Sequence, residues 1–168
     1  MMAPRAYLAL GSNLGDRLAH LRAAVALLRR GGLGDNWKFS ALYETAPVGP
    51  GEQGNYYNAV AAFSTSRSPR EVLTLALETE LALGRRRTTR WAARNIDLDL
   101  LLHGEAVLDE PGLILPHPRL LERSFVLRPL CDLAPDLTVN GVRVRDQLAA
   151  LGEDGLVRVA GPGWEVAP

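Results

Sequence analysis

The clearest strand in the sequence is Ile96-Asp97-Leu98-Asp99-Leu100-Leu101-Leu102. Because successive side chains of a strand point to opposite faces, the alternation puts Asp97 and Asp99 on one face, about 7 Å apart along the backbone. Leu98 and its apolar neighbours are then expected to point into the core. The stretch therefore predicts a half-buried strand with an acidic pair on one face.

The segments around this strand carry the other strand and helix patterns, each bounded by glycine, proline or a capping residue. We predict strands at 6–10, 37–43 and 57–63, helices beginning at Asp16 and Ser68, a helix over 125–133, and a short strand, a short helix and a final strand within 139–159. The order strand, helix, strand, strand, helix, strand is typical of a ferredoxin-like split β-α-β sandwich, an α+β fold whose antiparallel central sheet is flanked by helices. Because there is neither an internal repeat nor a linker, residues 1–168 are expected to form one domain.

The helix that begins at Ser68 has the strongest local signals. Ser68 can cap the helix, Pro69 suits the first helical position, and Glu71 completes a capping box. Its buried face is predicted to be lined by leucines at helical spacing, namely Leu73, Leu77 and Leu81.

The composition excludes several classes of protein. Nineteen basic and 19 acidic residues give a formal net charge of zero, which argues against a general nucleic-acid binder and requires any anion site to be local. No stretch reaches the roughly 18 apolar residues of a membrane span, and the first residues lack the apolar core of a secretory signal. Cys131 is the single cysteine, so neither an internal disulfide nor a thiolate zinc site is expected. We therefore expect a cytoplasmic protein with no nucleic-acid or membrane partner. Small-molecule partners and a monomeric state are expected as well, although composition does not establish them.

Five arginines lie within ten residues just before the acidic strand: Arg85, Arg86, Arg87, Arg90 and Arg94. Guanidinium groups match phosphate oxygens, and Mg²⁺ is usually bound by one or two carboxylates together with substrate phosphates. The alternative is an exposed edge strand with two solvated acids beside a solvated basic loop. A metal–phosphate site is favoured because it explains both clusters together. Since the sequence has no phosphate-binding glycine loop of the known motifs, arginines and metal would have to hold the phosphates.

Aromatic residues near two of the predicted loops suggest a flat ligand. Tyr56 and Asn58 follow a loop rich in proline and glycine, and Phe125 follows Arg123 by two positions. Flat heterocycles are often held by stacking on rings together with a few hydrogen bonds, although aromatic residues are more commonly part of the core. His117, between two prolines, is either a hydrogen-bond donor to phosphate or a loop histidine.

Several motifs follow one another along the chain. They are Leu10-Gly11-Ser12-Asn13-Leu14-Gly15-Asp16, Tyr43-Glu44-Thr45-Ala46-Pro47-Val48-Gly49-Pro50 with Tyr56 and Asn58, Arg90-Trp91-Ala92-Ala93-Arg94-Asn95-Ile96-Asp97-Leu98-Asp99, Leu115-Pro116-His117-Pro118-Arg119, and Glu122-Arg123-Ser124-Phe125. From about residue 6 to residue 138, the sequence resembles the 6-hydroxymethyl-7,8-dihydropterin pyrophosphokinase family of the folate pathway. The block that begins at Arg90 is the most specific part of the resemblance.

The resemblance implies a transfer of the β,γ-pyrophosphoryl group of ATP to the hydroxymethyl group of 6-hydroxymethyl-7,8-dihydropterin, with release of AMP. It implies that Asp97 and Asp99 hold two Mg²⁺ ions that bridge the ATP phosphates. The implied catalytic residues are Asp97, Asp99, Arg85, Arg94 and Arg123. The implied ATP contacts are Glu80, Arg85, Arg87, Arg90, Trp91, Arg94, Leu100 and His117. The implied pterin contacts are Thr45, Pro47, Val48, Tyr56, Asn58 and Phe125, with Tyr56 and Phe125 on either side of the ring.

Some positions differ from the family pattern. Ala46 replaces a proline in the pterin-side loop, and Ala92-Ala93 replace Gly-Pro before Arg94, which predicts altered loop stiffness rather than lost activity. Glu44 and Thr88 stand where a basic residue is common, which predicts weaker nucleotide affinity. Two other functions stay open. One is another Mg²⁺-dependent kinase on the same scaffold, which would release ADP, and the other is a ferredoxin-like ligand-binding domain without catalysis.

Overall fold

The computed structural model describes residues 3–45, 55–84 and 95–167. Its strands are β1 (Arg5–Ser12), β2 (Asp35–Phe39), β3 (Leu42–Thr45), β4 (Tyr56–Ser64), β5 (Asp97–His103), β6 (Leu108–Glu110), β7 (Leu113–Leu115), β8 (Thr138–Val139), β9 (Val142–Arg143) and β10 (Val157–Ala160). Its helices are α1 (Arg17–Arg30), α2 (Pro69–Ala82), α3 (Ser124–Leu133) and α4 (Val144–Leu151), and one 3₁₀ turn spans Leu120–Glu122.

The main sheet confirms the predicted fold class. The strands β10, β3, β4, β1 and β5 lie side by side in that order, with every pair antiparallel, and β2 also pairs with β4. The chain passes from β1 through α1 to β3, and in the sheet β4 lies between β1 and β3. It then passes from β4 through α2 to β5, and in the sheet β1 lies between β4 and β5. This is the split β-α-β arrangement of a ferredoxin-like sandwich.

Two clusters of buried residues cover the two faces of the sheet. On one face, which we call the α1/α2 face, α1 and α2 pack against side chains such as Leu8, Leu10 and Leu98. On the other, which we call the α3 face, α3 packs against the sheet in a cluster that includes Val60 and Leu101, and α4 packs against α3. No helix within the described ranges is long and apolar enough to cross a membrane.

The prediction of one strand over 37–43 is wrong, because a bulge divides it into β2 and β3. Phe39 pairs with Ala61 and Tyr43 with Asn58, so this side has one residue more than its partner strand. Ser40 causes the break, since its amide donates to the carbonyl of Val60 at 2.9 Å and its hydroxyl accepts from the amide of Val60 at 2.9 Å. The extra residue reverses the alternation of faces downstream, as β-bulges do. Tyr43 and the residues after it are re-aimed as a result.

The capping box of α2 is confirmed. Of the three leucines predicted to line one face of α2, Leu73 is partly buried against the core, but the leucine row is not the buried face. The Glu71 amide donates to the Ser68 hydroxyl at 3.1 Å, and the Ser68 amide donates to the Glu71 carboxylate at 2.9 Å. Leu81, however, is 71% exposed, while the buried positions are Val72, Ala76, Thr79 and Glu80. The cause is tertiary, because the buried Glu80 carboxylate accepts a hydrogen bond from the Leu98 amide of β5 at 2.8 Å, which turns that side of α2 towards the sheet.

The C-terminal segment after β10 is tied into the core by one tryptophan. Trp164 is buried, and its indole N–H donates to the Ser40 carbonyl at 2.8 Å. The Trp164 carbonyl accepts from Arg22 Nε of α1 at 2.7 Å, and the Trp164 ring meets the ring of Phe39 edge-on. The tail therefore closes the core next to the bulge.

We predict that Trp164→Ala lowers the free energy of unfolding by about 3–5 kcal/mol, because it leaves a cavity and an unpaired Ser40 carbonyl. Urea denaturation followed by circular dichroism measures the change. Val166→Ala is the matched control, since this side chain is 60% exposed. Equal effects of the two substitutions would contradict the role of Trp164 in the core.

Candidate functional site

One row of directly paired residues crosses the middle of the sheet and joins the predicted metal side to the predicted pterin side. Tyr43 of β3 pairs with Asn58 of β4, Asn58 pairs with Gly11 of β1, and Gly11 pairs with Asp97 of β5. Paired residues share a face, and strands lie about 4.8 Å apart, so Asn58 and Asp97 are roughly 10 Å apart on the α3 face. Asp99 lies on the same face beside Ala9.

Gly11 is the residue in this row that sequence reasoning missed. A Cβ at Gly11 would lie 3.1 Å from Asn58 Oδ1 and 3.5 Å from Tyr56 Cδ1. The absence of a side chain therefore lets Asn58 and Tyr56 approach the backbone of β1 closely. The strand was predicted to end before Gly11, at residue 10, whereas β1 continues to Ser12. A glycine inside a strand often marks such a close approach.

The pterin-side residues that the structure describes form a buried polar pair with an aromatic neighbour. Asn58 Nδ2 donates to Thr45 Oγ1 at 2.6 Å, and both residues are buried. Tyr56 is half-buried and pairs with Thr45. A buried amide and hydroxyl beside an aromatic ring suit a flat ligand with hydrogen-bonding groups along its edge.

The acidic pair lies as predicted on β5. Asp97 and Asp99 are both half-buried on the α3 face, while Leu98 and Leu100 are buried on the α1/α2 face. β5 is the last strand on one side of the sheet, as the alternative of an exposed edge strand expected. The two acids, however, are not fully solvated. Two hard oxygen donors on one face suit Mg²⁺. Among the described residues no group of three or more histidine, cysteine or acidic side chains could hold a metal, so its other ligands would have to come from elsewhere, such as phosphate or water.

His117 is fixed against the outer edge of β5 as a neutral hydrogen-bond donor. Its amide donates to the Leu101 carbonyl at 2.9 Å, and the Arg119 amide donates to His117 Nδ1 at 3.1 Å. Because Nδ1 accepts, the proton of the neutral ring is on Nε2. Burial lowers the pKa of His117 below its ordinary value, Arg123 and Arg119 lower it further, and Asp97 partly opposes them. The structure thus brings His117 close to Asp97 and Arg123.

The start of α3 carries the remaining predicted side chains of this face. Arg123 precedes the helix, and its guanidinium carbon lies 5.6 Å from the centre of the Phe125 ring. α3 is held on the sheet by Tyr43, whose hydroxyl donates to Asp132 at 2.7 Å. Burial, together with Asp132, raises the pKa of Tyr43 to about 12, so this hydroxyl stays protonated at neutral pH.

Two predicted ATP contacts lie away from the acidic pair. Leu100 is buried on the α1/α2 face, and the buried Glu80 carboxylate accepts from the Leu98 amide behind β5. Seven predicted site residues lie outside the described residues: Pro47, Val48, Arg85, Arg87, Arg90, Trp91 and Arg94. The residues that flank 85–94 are nevertheless joined, because the Asn95 side chain donates to the Leu83 carbonyl and Ser12 donates to the Asn95 carbonyl. That junction lies at the end of β1 next to Gly11.

Comparison with known sequences finds one family over most of the chain. The family model described as 7,8-dihydro-6-hydroxymethylpterin-pyrophosphokinase (HPPK) matches residues 7–135. A Bacillus subtilis protein is 41% identical over 157 residues, covering 88% of this chain and 94% of that protein. A Methylorubrum extorquens protein is 43% identical over 155 residues, covering 92% and 98%. Both are named 2-amino-4-hydroxy-6-hydroxymethyldihydropteridine pyrophosphokinase.

Two solved structures of similar fold belong to chains longer than this one. An HPPK-DHPS crystal structure in complex with substrates has a TM-score of 0.69 at 11% identity, covering 89% of this chain and 43% of that one. A triple mutant of Plasmodium falciparum HPPK-DHPS with pteroate has a TM-score of 0.71 at 16% identity, covering 93% and 46%. This chain therefore spans less than half the length of those structures, and at such identity the likeness supports the fold alone.

The placement of His117 between charges of opposite sign predicts two opposite shifts of its pKa. Arg123→Leu should raise the pKa of His117, because it removes a cation that disfavours the protonated ring. Asp97→Asn should lower it further, because it removes the carboxylate that favours the protonated ring. NMR titration of the His117 ring measures both, with Arg30→Leu in the last turn of α1 as a control. Shifts of the same sign would contradict the arrangement.

Proposed function

This chain belongs to the 7,8-dihydro-6-hydroxymethylpterin-pyrophosphokinase family, and from that membership we infer that it transfers pyrophosphate from ATP to the hydroxymethyl group of 6-hydroxymethyl-7,8-dihydropterin and releases AMP. It is a transferase of folate biosynthesis, and ATP is its co-substrate. The observation that best supports this function in the structure is the cross-strand row that joins Asp97 to Asn58 through Gly11, with Asp99 and Thr45 beside it on the same face.

We propose that Asp97 and Asp99 hold Mg²⁺, as two ions shared with the phosphates of ATP. The support is that both carboxylates lie half-buried on one face of β5, where hard oxygen donors suit this cation. Bound Mg²⁺ would neutralise phosphate charge and lower the pKa of the acceptor hydroxyl. Such a hydroxyl needs no strong base, although Asp97 stays a candidate to accept its proton.

For the nucleotide, we propose that His117 donates from Nε2–H to a phosphate oxygen. The Arg119 amide fixes this tautomer, and the lowered pKa keeps the ring neutral, so the contact is a directed hydrogen bond rather than a charge. Glu80 and Leu100 are buried behind the acidic face, so any nucleoside contact of Leu100 would come through its backbone. Five residues outside the described ranges complete the proposed ATP site by family resemblance: Arg85, Arg87, Arg90, Trp91 and Arg94.

For the pterin, we propose that Tyr56 and Phe125 lie on either side of the ring while Asn58 and Thr45 meet its polar edge. The buried hydrogen bond between the Asn58 amide and the Thr45 hydroxyl supports this, because it fixes the orientation of both groups before the ligand binds. Pro47 and Val48, which lie outside the described residues, are proposed by resemblance to frame the same edge.

Arg123 is proposed to act at the reaction centre. Attack on phosphorus builds negative charge on its oxygens, so fixed donors and cations that meet this charge supply most of the acceleration. Arg123 stands beside the Phe125 ring and close enough to His117 to lower its pKa. These two neighbours, one proposed to contact the pterin and the other the phosphates, support that role for Arg123. The single domain, the monomeric state and the cytoplasmic location stay predictions.

Incubation with ATP, Mg²⁺ and 6-hydroxymethyl-7,8-dihydropterin should give AMP and the pyrophosphorylated pterin in equal amounts, measured by chromatography. ADP as the nucleotide product would instead indicate another kinase. Binding of the pterin with no nucleotide product would support the ligand-binding domain without catalysis.

Asp97→Ala should reduce turnover by at least roughly 10³-fold, because it removes a carboxylate that holds the metal. The fold should change little, because this side chain is only half-buried. The rate of AMP release and the urea midpoint are measured together. Asp109→Ala, an exposed acid of β6, is the matched control and should keep normal turnover. Near-normal turnover of the Asp97 variant would refute the metal role.

A further inference from the structure

Arg17 stands at an unfavourable position for a cation. It is the first residue of α1, which Asp16 caps by accepting the Ala19 amide at 3.0 Å. The first turn of a helix presents its free amides and the positive end of the helix dipole, so acidic residues are favoured there. The first turn of α1 has none. The unfavourable position of Arg17 in the helix must therefore be offset by contacts outside α1.

Those contacts join the two chain segments that flank residues 46–54. Arg17 Nη1 donates to Glu44 Oε2 at 2.7 Å and to the Asn55 carbonyl at 2.8 Å. The guanidinium carbon also lies 3.8 Å above the centre of the Tyr57 ring. The Arg17 and Glu44 side chains are only 26% and 31% exposed, so this ion pair is partly withdrawn from water. One guanidinium thus bridges the end of β3 to the start of β4.

The bridge lies behind the proposed pterin site. Glu44 pairs with Tyr57, whereas the flanking pairs, Thr45 with Tyr56 and Tyr43 with Asn58, point to the α3 face. By strand alternation, Glu44 therefore points to the opposite face from Asp97 and Asp99. Its charge is paired with Arg17 there, away from the acidic face where the phosphates are proposed to bind. The expectation that Glu44 weakens nucleotide affinity has no contact to support it among the described residues.

We propose that Arg17 is a positioning residue for the pterin substrate, acting through Glu44, Asn55 and Tyr57. By holding the ends of β3 and β4 from behind, it fixes how Thr45 and Tyr56 are presented on the α3 face. The inference rests on the proposed function, because it assigns these strand ends to the pterin. It concerns the affinity for the pterin and leaves the acidic pair untouched.

Steady-state kinetics of Arg17→Met and Glu44→Gln test the proposal, with each substrate varied in turn. Either variant should raise KM for 6-hydroxymethyl-7,8-dihydropterin by about five-fold, while KM for ATP and kcat stay within about two-fold. The double variant should show an effect smaller than the product of the two single effects, because both remove the same contact. Arg17→Lys, which keeps the charge but loses the planar group that also reaches Asn55 and stacks on Tyr57, should restore only part of the affinity.

Arg30→Met is the matched control, since it removes an exposed arginine from the last turn of the same helix. It should leave both KM values unchanged. An unchanged KM for the pterin in both single variants, or an equal rise in both KM values, overturns the proposal and leaves Arg17 with a structural role only. If Arg17→Met does not fold, Glu44→Gln decides the question alone. If the unaltered protein releases no AMP, the proposed function fails and this inference fails with it.

Discussion

The antiparallel pairing of β1 with β4 on one side and β5 on the other is the constraint on which the site depends. Through Gly11 this pairing sets the acidic pair of β5 and the amide of Asn58 at a fixed separation. Backbone hydrogen bonds of a sheet hold that separation far more firmly than a pair of loops would. Gly11 can serve in this row because it has no side chain to fill the space between its neighbours.

The sheet divides its two faces between stability and chemistry. The α1/α2 face is buried under two helices, and Glu80 fastens α2 to β5 through the Leu98 amide. The α3 face is covered by apolar packing at one end, while the polar row lies at the end where β1 leads into α1. The bulge at Ser40 is needed for this division, because without its extra residue Tyr43 and Thr45 would face the α1/α2 side. Trp164 reinforces the bulge by bonding to the Ser40 carbonyl.

Features that depend on neighbouring residues could be predicted from the sequence. The alternation in β5 placed Asp97 and Asp99 on one face, and the Ser68–Glu71 pattern located the start of α2. The bulge could not be predicted, because it arises from hydrogen bonds between Ser40 and Val60, 20 positions away. The buried side of α2 was mistaken for a similar reason, since the bond from Glu80 to β5 outweighs leucine spacing.

The residues of the site divide in the same way, into those that the local sequence indicates and those that depend on distant contacts. The acids were predicted from spacing. Asn58 and His117 were only weak candidates from their local sequence, and Thr45 acquired its role through family resemblance alone, since nothing in the local sequence indicates that these three residues share a face. Arg17 was not identified at all, because its partners Glu44 and Asn55 lie 27 and 38 positions away.

The central claim is that the metal binds on the α3 face beside Gly11. Mn²⁺ added with a non-hydrolysable ATP analogue tests it most directly, through paramagnetic broadening of amide NMR signals. We predict that the amide signals of Gly11, Leu98 and His117 lose most of their intensity, while the signal of Val157, at the opposite edge of the sheet, keeps its intensity. Broadening that spares the first three amides would contradict the claim.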